Sequence, residues 1–478
     1  MWETFSACPT VSETPTMKRA QDKIKDFIEP QAFEEVQNYG ADPARALAAY
    51  RFTDATSDLI ARWLDALADL PRQRGGARAL AGLRGVGKSH ALATFGALVS
   101  LPDLRSTITD AHVATSARRL LNRRYIVARV ERGSRPTLVE ELRAAFVEAF
   151  GGDEAEWAHE PSAMLAIAAS RASDAPLALL IDTAFGRQMR VQRDDGPVLS
   201  ELASATEHVN AFVALALDDD ISGADGANVA LARSFQIDYL DPEHLYRVAD
   251  LHLFHKDAHG RAALHDIYTF LRNSVPGFNW SEPRFAAIYP VHPLVADVAP
   301  AVRLYAQTFA FLPFAATAVA RATNRPALSL VGLDEVFDRA EYELRKAEDL
   351  KEAMAVYDSL ATSAITQIPI MQRLQAKLVL KGLLILSLDG RGATARELGA
   401  AMLLYDEKSP EAGINRVREM LLSLAAAAPA GALRESDDGG EIRYRFNISA
   451  SAGFDAALSA AAQAVDEEAT GDLMRVAA

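Results

Sequence analysis

Apolar residues along the chain repeat first at helical spacing and then in short strand-like runs. Between Leu59 and Leu70 they recur every three or four residues, which predicts an amphipathic helix that ends at Pro71. From about residue 77 to 240, apolar runs alternate with helical stretches. The candidate strands are Arg78–Ala81, Tyr125–Val130, Leu177–Ile181, Phe212–Leu217 and Ser234–Tyr239. Continuous apolar strands are typical of parallel sheets covered on both faces, so this region predicts one three-layer α/β domain.

Beyond Asp241 the strand pattern nearly disappears. Helices are predicted to begin near residues 242, 262, 283 and 293, and a long charged helix is predicted from Asp334 to Asp358. Further on, the predicted order is three helices followed by a β-hairpin. Its elements are Met371–Leu388, Thr394–Leu403, Asn415–Ala426, Leu433–Glu435 and Glu441–Asn447. This order is typical of a winged-helix module.

Composition and charge restrict the classes of protein that this chain can represent. Its 478 residues are 50% hydrophobic and 24% charged, which is the balance of a globular protein rather than of a disordered one. The net charge of −14 argues against nonspecific binding to duplex DNA. Cys8 is the only cysteine, so a disulfide framework is excluded. The polar N-terminus predicts no secretory signal, and the apolar stretch 304–320 is too polar to span a membrane. We expect a cytoplasmic protein with no membrane partner.

One segment of the α/β region carries a complete phosphate-binding motif. The Walker A pattern G-x-x-x-x-G-K-[ST] is met by Gly82-Leu83-Arg84-Gly85-Val86-Gly87-Lys88-Ser89, with His90 next, between a predicted strand and a predicted helix. Glycines let backbone N–H groups point at phosphate oxygens, and the helix N-terminus adds its dipole. Lys88 is expected to reach the β- and γ-phosphates, and the Ser89 hydroxyl to ligate Mg²⁺. A glycine-rich turn that binds nothing is the weaker interpretation, so ATP and Mg²⁺ are the expected cofactors.

Acidic residues that could support hydrolysis follow two apolar strands. Asp182 ends the run 177–182 and is the first candidate to hold Mg²⁺, although Thr183 stands where a second acid usually follows. Asp219, within the acidic run 218–220, is the alternative magnesium residue or a polar group beside the γ-phosphate. Asp194 and Asp195 could also supply an acid. The alternatives are an aspartate that caps a turn and an acidic loop without a ligand.

Arginines near these acids are candidates to stabilise the transition state of a neighbouring subunit. The candidates are Arg187, Arg190, Arg193 and Arg233, of which Arg193 is the one included in the predicted catalytic set. A cluster of His252, His255 and His259 could suggest zinc, but a solvated polar loop is the favoured interpretation.

The predicted winged-helix module mixes charges of both signs. Its hairpin carries Arg434, Arg443 and Arg445, and acids lie between and beside them. Because a DNA-reading module normally keeps a net positive face, this pattern favours docking to a protein over binding to DNA.

Several longer stretches share the pattern of one known family. They are Phe52-Thr53-Asp54, the Walker A segment, Leu180-Ile181-Asp182-Thr183-Ala184, Arg193-Asp194-Asp195-Gly196-Pro197, Ala216-Leu217-Asp218-Asp219-Asp220-Ile221, Pro276-Gly277-Phe278-Asn279-Trp280 and Tyr289-Pro290-Val291-His292-Pro293. Over about residues 50 to 410 the chain thereby resembles the bacterial phage-defence ATPases of the PglY type, from phage-growth-limitation and bacteriophage-exclusion (BREX) systems. This resemblance implies an AAA-like ATPase that works with other defence-system proteins in a complex. Members of this family continue well beyond the end of this chain.

Together these patterns predict an α/β P-loop NTPase, AAA-like with a parallel five-stranded sheet, followed by a helical lid and a winged-helix-like module. The predicted segments are an N-terminal lead-in (1–50), the P-loop ATPase domain (51–240), the lid (241–335), a connecting helix (336–370), the winged-helix-like domain (371–450) and an Ala-rich acidic tail (451–478). The preferred function is ATP hydrolysis in anti-phage defence, in a possible homo-oligomer. A nucleotide-gated scaffold with little turnover and a DNA-engaging motor or loader are the alternatives.

Overall fold

The computed structural model describes residues 22–33, 42–70, 75–83, 85–183, 195–217, 231, 233–406 and 409–448. The chain forms two compact units. The first unit consists of residues 31–253, and the second consists of residues 1–30 and 254–478. The first described strand, β1 (Glu29–Pro30), pairs in antiparallel fashion with β7 (Phe254–His255) in the second unit.

The first unit contains a five-stranded sheet in which every pairing is parallel. Its strands are β2 (Gly76–Ala81), β3 (Ile126–Glu131), β4 (Leu177–Asp182), β5 (Ala211–Ala216) and β6 (Gln236–Tyr239), in the order β3-β4-β5-β2-β6. Each strand lies within a few residues of a predicted apolar run, so the predicted parallel five-stranded sheet is confirmed. The motif-bearing strand β2 lies between β5 and β6. This is the α/β P-loop NTPase fold.

Eight α-helices of the first unit are described. They are α1 (Pro43–Ala49), α2 (Asp54–Ala68), α3 (Lys88–Ser100), α4 (Ala111–Arg119), α5 (Leu138–Phe150), α6 (Pro161–Ala172), α7 (Asp195–Ala205) and α8 (Glu243–Val248). Several begin at side-chain caps: Asp42 accepts from the Arg45 N–H, and Asp110 accepts from the Val113 N–H. Short 3₁₀ segments lie at Pro102–Ser106 and Glu154–Glu156, and a π-helical turn at Ala249–Leu253.

Alternate residues of a strand point to opposite faces of the sheet. Because the inner strands are apolar at consecutive positions, both faces are apolar and helices cover both. Leu177, Leu179 and Ile181 of β4 pack into a buried cluster with α5, α6 and α7. On the other face, a Cβ added at Gly96 of α3 would lie 2.5 Å from Leu180. The inner strands β4 and β5 are buried on both faces, which explains why they appear in the sequence as unbroken apolar runs.

The second unit is mainly helical. Its helices are α9 (Ala258–Ser274), α10 (Glu282–Ile288), α11 (Pro293–Tyr305), α12 (Phe311–Ala322), α13 (Leu333–Leu344), α14 (Lys351–Ser359), α15 (Ile365–Gln367), α16 (Arg373–Ser387), α17 (Ala395–Ala401) and α18 (Pro410–Ala427). Short 3₁₀ segments occur at Ile24–Asp26, Glu348–Leu350 and Ile370–Gln372, and a π-helical segment at Leu360–Ala364. The C-terminal strands are β8 (Ala393–Thr394), β9 (Leu433–Asp438) and β10 (Glu441–Phe446), in the antiparallel order β8-β10-β9.

The prediction of one long charged helix from Asp334 to Asp358 is wrong, because the helix is interrupted between α13 and α14. Ala347 has extended backbone angles, and a 3₁₀ turn follows it. Leu344 and Leu350 are both fully buried. In a continuous helix, residues six positions apart point about 120° away from each other, so the break allows both side chains to reach the core. Arg345 bridges it by pairing with Glu341 and Asp358.

Candidate functional site

The loop between β2 and α3 has the backbone shape that a phosphate loop requires. Gly82, Gly85 and Gly87 all have positive φ, at 153°, 87° and 98°. At Gly82 the space is also closed, since an added Cβ would lie 2.6 Å from the carbonyl oxygen of Leu240. Leu240 follows β6, and its N–H donates to the Ala81 carbonyl at 2.8 Å. A side chain at position 82 would therefore be incompatible with this loop.

Helix α3 begins directly at the loop, with Gly87 in the N-cap position. Gly87 has no side chain with which to cap this end, in contrast to Asp42 at α1 and Asp110 at α4. The first N–H groups of a helix lack partners within the helix, and they carry the positive end of its dipole. The start of α3 therefore suits an anion such as a phosphate group.

Lys88 lies inside the loop. Its side chain is 3% exposed, and Nζ donates to the carbonyl oxygens of Gly82 and Leu83, each at 2.7 Å. Ser89, the second residue of α3, is half-buried beside it. The ammonium group and the hydroxyl predicted to contact phosphate and Mg²⁺ thus lie on the same helical turn, at the carboxyl end of β2.

His90 connects α3 to α1. Its Nε2 lies 2.6 Å from the carbonyl oxygen of Ala46, and its ring meets Tyr50 edge-on, with the ring centroids 4.8 Å apart. Burial lowers the pKa of His90 to about 4, despite the opposing bond to the Ala46 carbonyl. The ring is neutral at pH 7, so Nε2 carries the proton that it donates to Ala46. This bond gives His90 a structural role, and its contact with nucleotide stays a prediction.

Asp182 ends β4 at the same edge of the sheet as the loop, with β5 between β4 and β2. Side chains alternate along a strand, so Asp182 points to the same face as Leu180. That face is covered by α3, which packs against Leu180 at Gly96. Strand order and pleat therefore place the Asp182 carboxylate on the side of the sheet that carries Lys88 and Ser89.

Thr183 occupies the position after this carboxylate and is held by β5. Its hydroxyl donates to the Ala216 carbonyl at 2.6 Å, and its N–H donates to the same oxygen at 3.2 Å. The residue is 1% exposed. A side chain in this position and environment cannot serve as a general base for water.

Other predicted site residues lie outside the described part of the chain. These are Arg84 in the loop, Asp219 with its neighbours 218 and 220, Arg193, Arg187, Arg190 and Asp194. Arg233 is described, and it is exposed just before β6. The structure places Lys88 and Ser89 in the first turn of α3, and Asp182 at the end of β4 on the face of the sheet that α3 covers.

A buried ionic cluster lies at the end of β3, on the face of the sheet that α5 and α7 cover, and no local sequence pattern predicts it. Arg132, the residue after β3, binds the Asp195 carboxylate through Nε at 2.9 Å and Nη2 at 3.3 Å. It also contacts Glu141 of α5 at 3.3 Å. Burial lowers the pKa of Arg132, but its hydrogen bonds and charge interactions with Asp195 and Glu141 outweigh this and raise the pKa. The only signal in the sequence is a charged residue at the end of an apolar strand, since its partners are 9 and 63 residues away.

This cluster changes the interpretation of Asp195. Its carboxylate binds the guanidinium of Arg132, and the residue is 4% exposed. Asp195 is therefore part of a buried ion pair rather than an acid available to activate water.

The segment after β6 borders the loop on the side away from β5. The Asp241 carboxylate caps the next turn by accepting from the Glu243 N–H at 2.7 Å. On α8, His244 Nδ1 lies 2.9 Å from the Thr53 hydroxyl, and burial lowers the pKa of His244 to about 4. This buried hydrogen bond gives Thr53, in the segment Phe52-Thr53-Asp54, a structural role.

Two of the clustered histidines contact other groups of the protein. His252 Nε2 lies 3.1 Å from the Phe52 carbonyl, and His259 packs against the ring of Phe27. Over the described residues, no group of three or more His, Cys, Asp or Glu side chains has the arrangement of a metal site. A bilayer-spanning helix of sufficient length and hydrophobicity is likewise not found in the described ranges.

Comparison with known proteins gives structural similarities at low sequence identity. No protein-family model matches the sequence, and no curated protein matches it. The Orc1 protein of Aeropyrum pernix, solved in complex with DNA, is 14% identical with a TM-score of 0.33, covering 85% of this chain and 92% of that one. Cdc6p from Pyrobaculum aerophilum is 11% identical with a TM-score of 0.30, covering 86% and 95%. AMPPCP-bound DnaA from Aquifex aeolicus is 13% identical with a TM-score of 0.28, covering 81% and 98%. The fold assignment rests on the strand order and the loop geometry described above.

Proposed function

We propose that this protein binds and hydrolyses ATP as an AAA-like P-loop protein within a bacterial anti-phage defence complex. The observation that carries the ATP-binding part is the loop after β2, where three glycines with positive φ lead into the N-terminus of α3 and enclose Lys88. Backbone N–H groups, a helix N-terminus and one ammonium group together suit a triphosphate.

Two oxygen donors fit Mg²⁺ at this edge of the sheet. The Ser89 hydroxyl lies at the start of α3, and the Asp182 carboxylate faces the side of the sheet that α3 covers. Hydroxyl and carboxylate oxygens are the hard ligands that Mg²⁺ prefers. Bound Mg²⁺ would neutralise charge that develops on the phosphate oxygens during transfer. Ser89 and Asp182 would hold the ion, while Lys88 leaves its two loop carbonyls to bind the phosphates.

Because the Thr183 hydroxyl cannot act as a base, we assign the activation of the attacking water to other residues. Asp219 and Arg193 complete the proposed catalytic set with Asp182, Asp219 as a polar group beside the γ-phosphate and Arg193 as a cation for a neighbouring subunit in a homo-oligomer. The buried hydroxyl of Thr183 favours a second candidate, a nucleotide-gated scaffold with little turnover, because the position after Asp182 supplies no base.

The second unit supports a winged-helix-like module that docks on protein. The order α16, β8, α17, α18 and the β9–β10 hairpin supports this module, because three helices followed by a hairpin are typical of winged helices. Arg443 on the hairpin pairs with Glu397 and Asp438, at 2.8 and 2.6 Å. Arg396 and Arg416 pair with Glu441 and Asp406. These guanidinium groups are already neutralised, which disfavours the third candidate, a DNA-engaging motor.

The defence role rests on the sequence resemblance to the PglY type, whose members act beside other defence-system proteins. A turnover assay with and without duplex DNA separates the three candidates. The defence ATPase predicts Mg²⁺-dependent hydrolysis that DNA does not stimulate, the scaffold predicts ATP binding with negligible turnover, and the motor predicts stimulation by DNA. Phage plating on cells that carry the complete system, with wild-type chain or Lys88→Ala, tests the defence role. Equal protection by both would contradict it.

A further inference from the structure

Arg132 forms hydrogen bonds with Asp182 and with Asp195, the residues that come directly before and after positions 183–194. Its backbone N–H donates at 2.9 Å to the carbonyl oxygen of Asp182, the last residue of β4. Its guanidinium donates through Nε and Nη2 to the carboxylate of Asp195, the first residue of α7. One residue thus connects the end of the candidate magnesium strand to the start of the next helix.

The bonds of Arg132 extend to a third element, α5. Glu141 Oε1 accepts from Arg132 Nη1 at 3.3 Å and from the N–H groups of Gly133 and Arg135 at 2.6 and 2.9 Å. The remaining guanidinium bonds go to the carbonyl oxygens of Arg135 and Pro136. The turn after β3 is therefore fixed to α5 and α7 by a single hydrogen-bonded network.

The network is almost completely buried. Arg132, Glu141 and Asp195 are 2%, 3% and 4% exposed. Removing three charges from water is costly, and apolar residues of similar size could often join the same elements with equal or better stability. A network of this kind does, however, impose one geometry on the groups it joins. The network lies on the face of the sheet that α5 and α7 cover, and it meets Asp182 through the backbone N–H of Arg132. The backbone that it fixes in this way is the end of β4, which carries the candidate magnesium carboxylate on its other face.

We propose that Arg132 is a positioning residue for the Mg²⁺·ATP site, which holds the carboxyl end of β4 so that the Asp182 carboxylate lies where the ion binds. This inference rests on the proposed function. Arg132 acts through Asp182, since its own guanidinium is buried and bound to two carboxylates, which keeps it from contacting phosphate. Residues that orient a metal ligand typically contribute tenfold or more to metal affinity.

The experiment measures ATP affinity by calorimetry in the presence and absence of Mg²⁺, on the full chain. The ratio of the two affinities reports how well the protein holds the ion and does not require turnover. Arg132→Gln is expected to reduce this ratio by about tenfold, while affinity without Mg²⁺ stays within about twofold. Arg132→Lys keeps the charge but loses the paired bonds to Asp195. Its affinity ratio is expected to lie between the ratios of Arg132→Gln and wild type.

Arg135→Gln is the matched control. Arg135 lies in the same turn, but its guanidinium pairs at 2.6 and 2.9 Å with Glu154, and both side chains are more than one-third exposed. This variant should leave both affinities unchanged. Asp195→Asn, nearly equal in size to the native residue, serves as the second variant if Arg132→Gln does not fold, and it is expected to shift the ratio in the same direction.

Two results would overturn the inference. One is a folded Arg132→Gln protein with an unchanged ratio, and the other is an equal loss of affinity with and without Mg²⁺, which would indicate general damage. Failure of the proposed function looks different, because then the wild type itself binds no ATP or Lys88→Ala binds it as well as wild type does.

Discussion

The Thr183 hydroxyl donates a 2.6 Å hydrogen bond to the Ala216 carbonyl, which joins the ends of two neighbouring strands directly after the candidate magnesium carboxylate. The position that often carries a catalytic acid is thus filled by a buried structural side chain.

Thr183→Val tests this structural role. Valine has nearly the same shape but cannot donate a hydrogen bond, so the free energy of unfolding should fall by about 1 kcal/mol. ATP hydrolysis should keep its wild-type rate, because the hydroxyl takes no part in it. Chemical denaturation followed by circular dichroism measures the first effect, and a phosphate-release assay the second. A loss of turnover greater than tenfold in a stable variant would show that Thr183 acts in catalysis.

Lys88→Ala is expected to lower ATP affinity by about one to two orders of magnitude. Among the described loop residues, Lys88 supplies the ammonium group that would meet the phosphates. The fold should survive, because the bonds of Nζ to Gly82 and Leu83 lie within the loop itself. Calorimetric titration with ATP measures the effect, and Lys351→Ala, at an exposed lysine that pairs with Glu348, is the control. Unchanged affinity in Lys88→Ala would contradict the phosphate-loop assignment.

Asp182→Asn and Asp219→Asn should differ in how strongly they reduce the rate of ATP hydrolysis. Asp182→Asn removes a charged oxygen from the proposed magnesium site, so hydrolysis should be abolished while some Mg²⁺-independent ATP binding remains. Asp219→Asn should slow turnover less. Single-turnover hydrolysis at several Mg²⁺ concentrations ranks the two variants. The reverse order would move the magnesium role to the strand that ends before residue 218.

His292 should make the second unit less stable in acid. The ring is fully buried, with Nε2 3.1 Å from the Ala400 carbonyl and Nδ1 accepting from the Leu294 N–H, and burial lowers its pKa to about 4. An unfolded histidine has a pKa of about 6.5, so the unfolded state takes up a proton that the folded state refuses. Stability is therefore complete above about pH 6.5 and falls as the pH drops toward 4.

Urea denaturation at a series of pH values, followed by the fluorescence of Trp280 beside His292, measures this effect. In His292→Gln, which cannot take up a proton, the fall between pH 6.5 and 4 should be shallower than in wild type. His265→Gln is a suitable control, because His265 is exposed and its pairing with Glu282 raises its pKa instead. Identical pH dependence in wild type and His292→Gln would disprove the assignment.

Duplex DNA should bind no better than about ten micromolar at physiological salt, which is the ordinary nonspecific range. The net charge is −14, and the hairpin residue Arg443 is paired with two carboxylates. Few phosphates can be neutralised, so the salt dependence should be shallow. Filter binding across a salt series, with and without ATP, is the measurement. Submicromolar affinity that falls steeply with salt, and is lost in the double variant Arg443→Glu with Arg445→Glu, would support the DNA motor instead.

Local sequence determined the loop and the strands that carry the site. The spacing of Gly82, Gly87 and Lys88 is a local property, because it depends on backbone freedom and on a helix that starts at the next residue. The strands were equally visible, since a sheet buried on both faces requires unbroken apolar runs such as 177–181.

Tertiary structure alone decided the relationships between distant segments. The insertion of β5 between β2 and β4, which places Asp182 one strand away from the loop, is a matter of strand pairing that no local pattern encodes. The break that buries both Leu344 and Leu350 depends on a core supplied by other helices. The bonds of Arg132 to Glu141 and Asp195 join residues far apart in sequence, and each of these charges is tolerated in the interior only because the fold brings its partners to it.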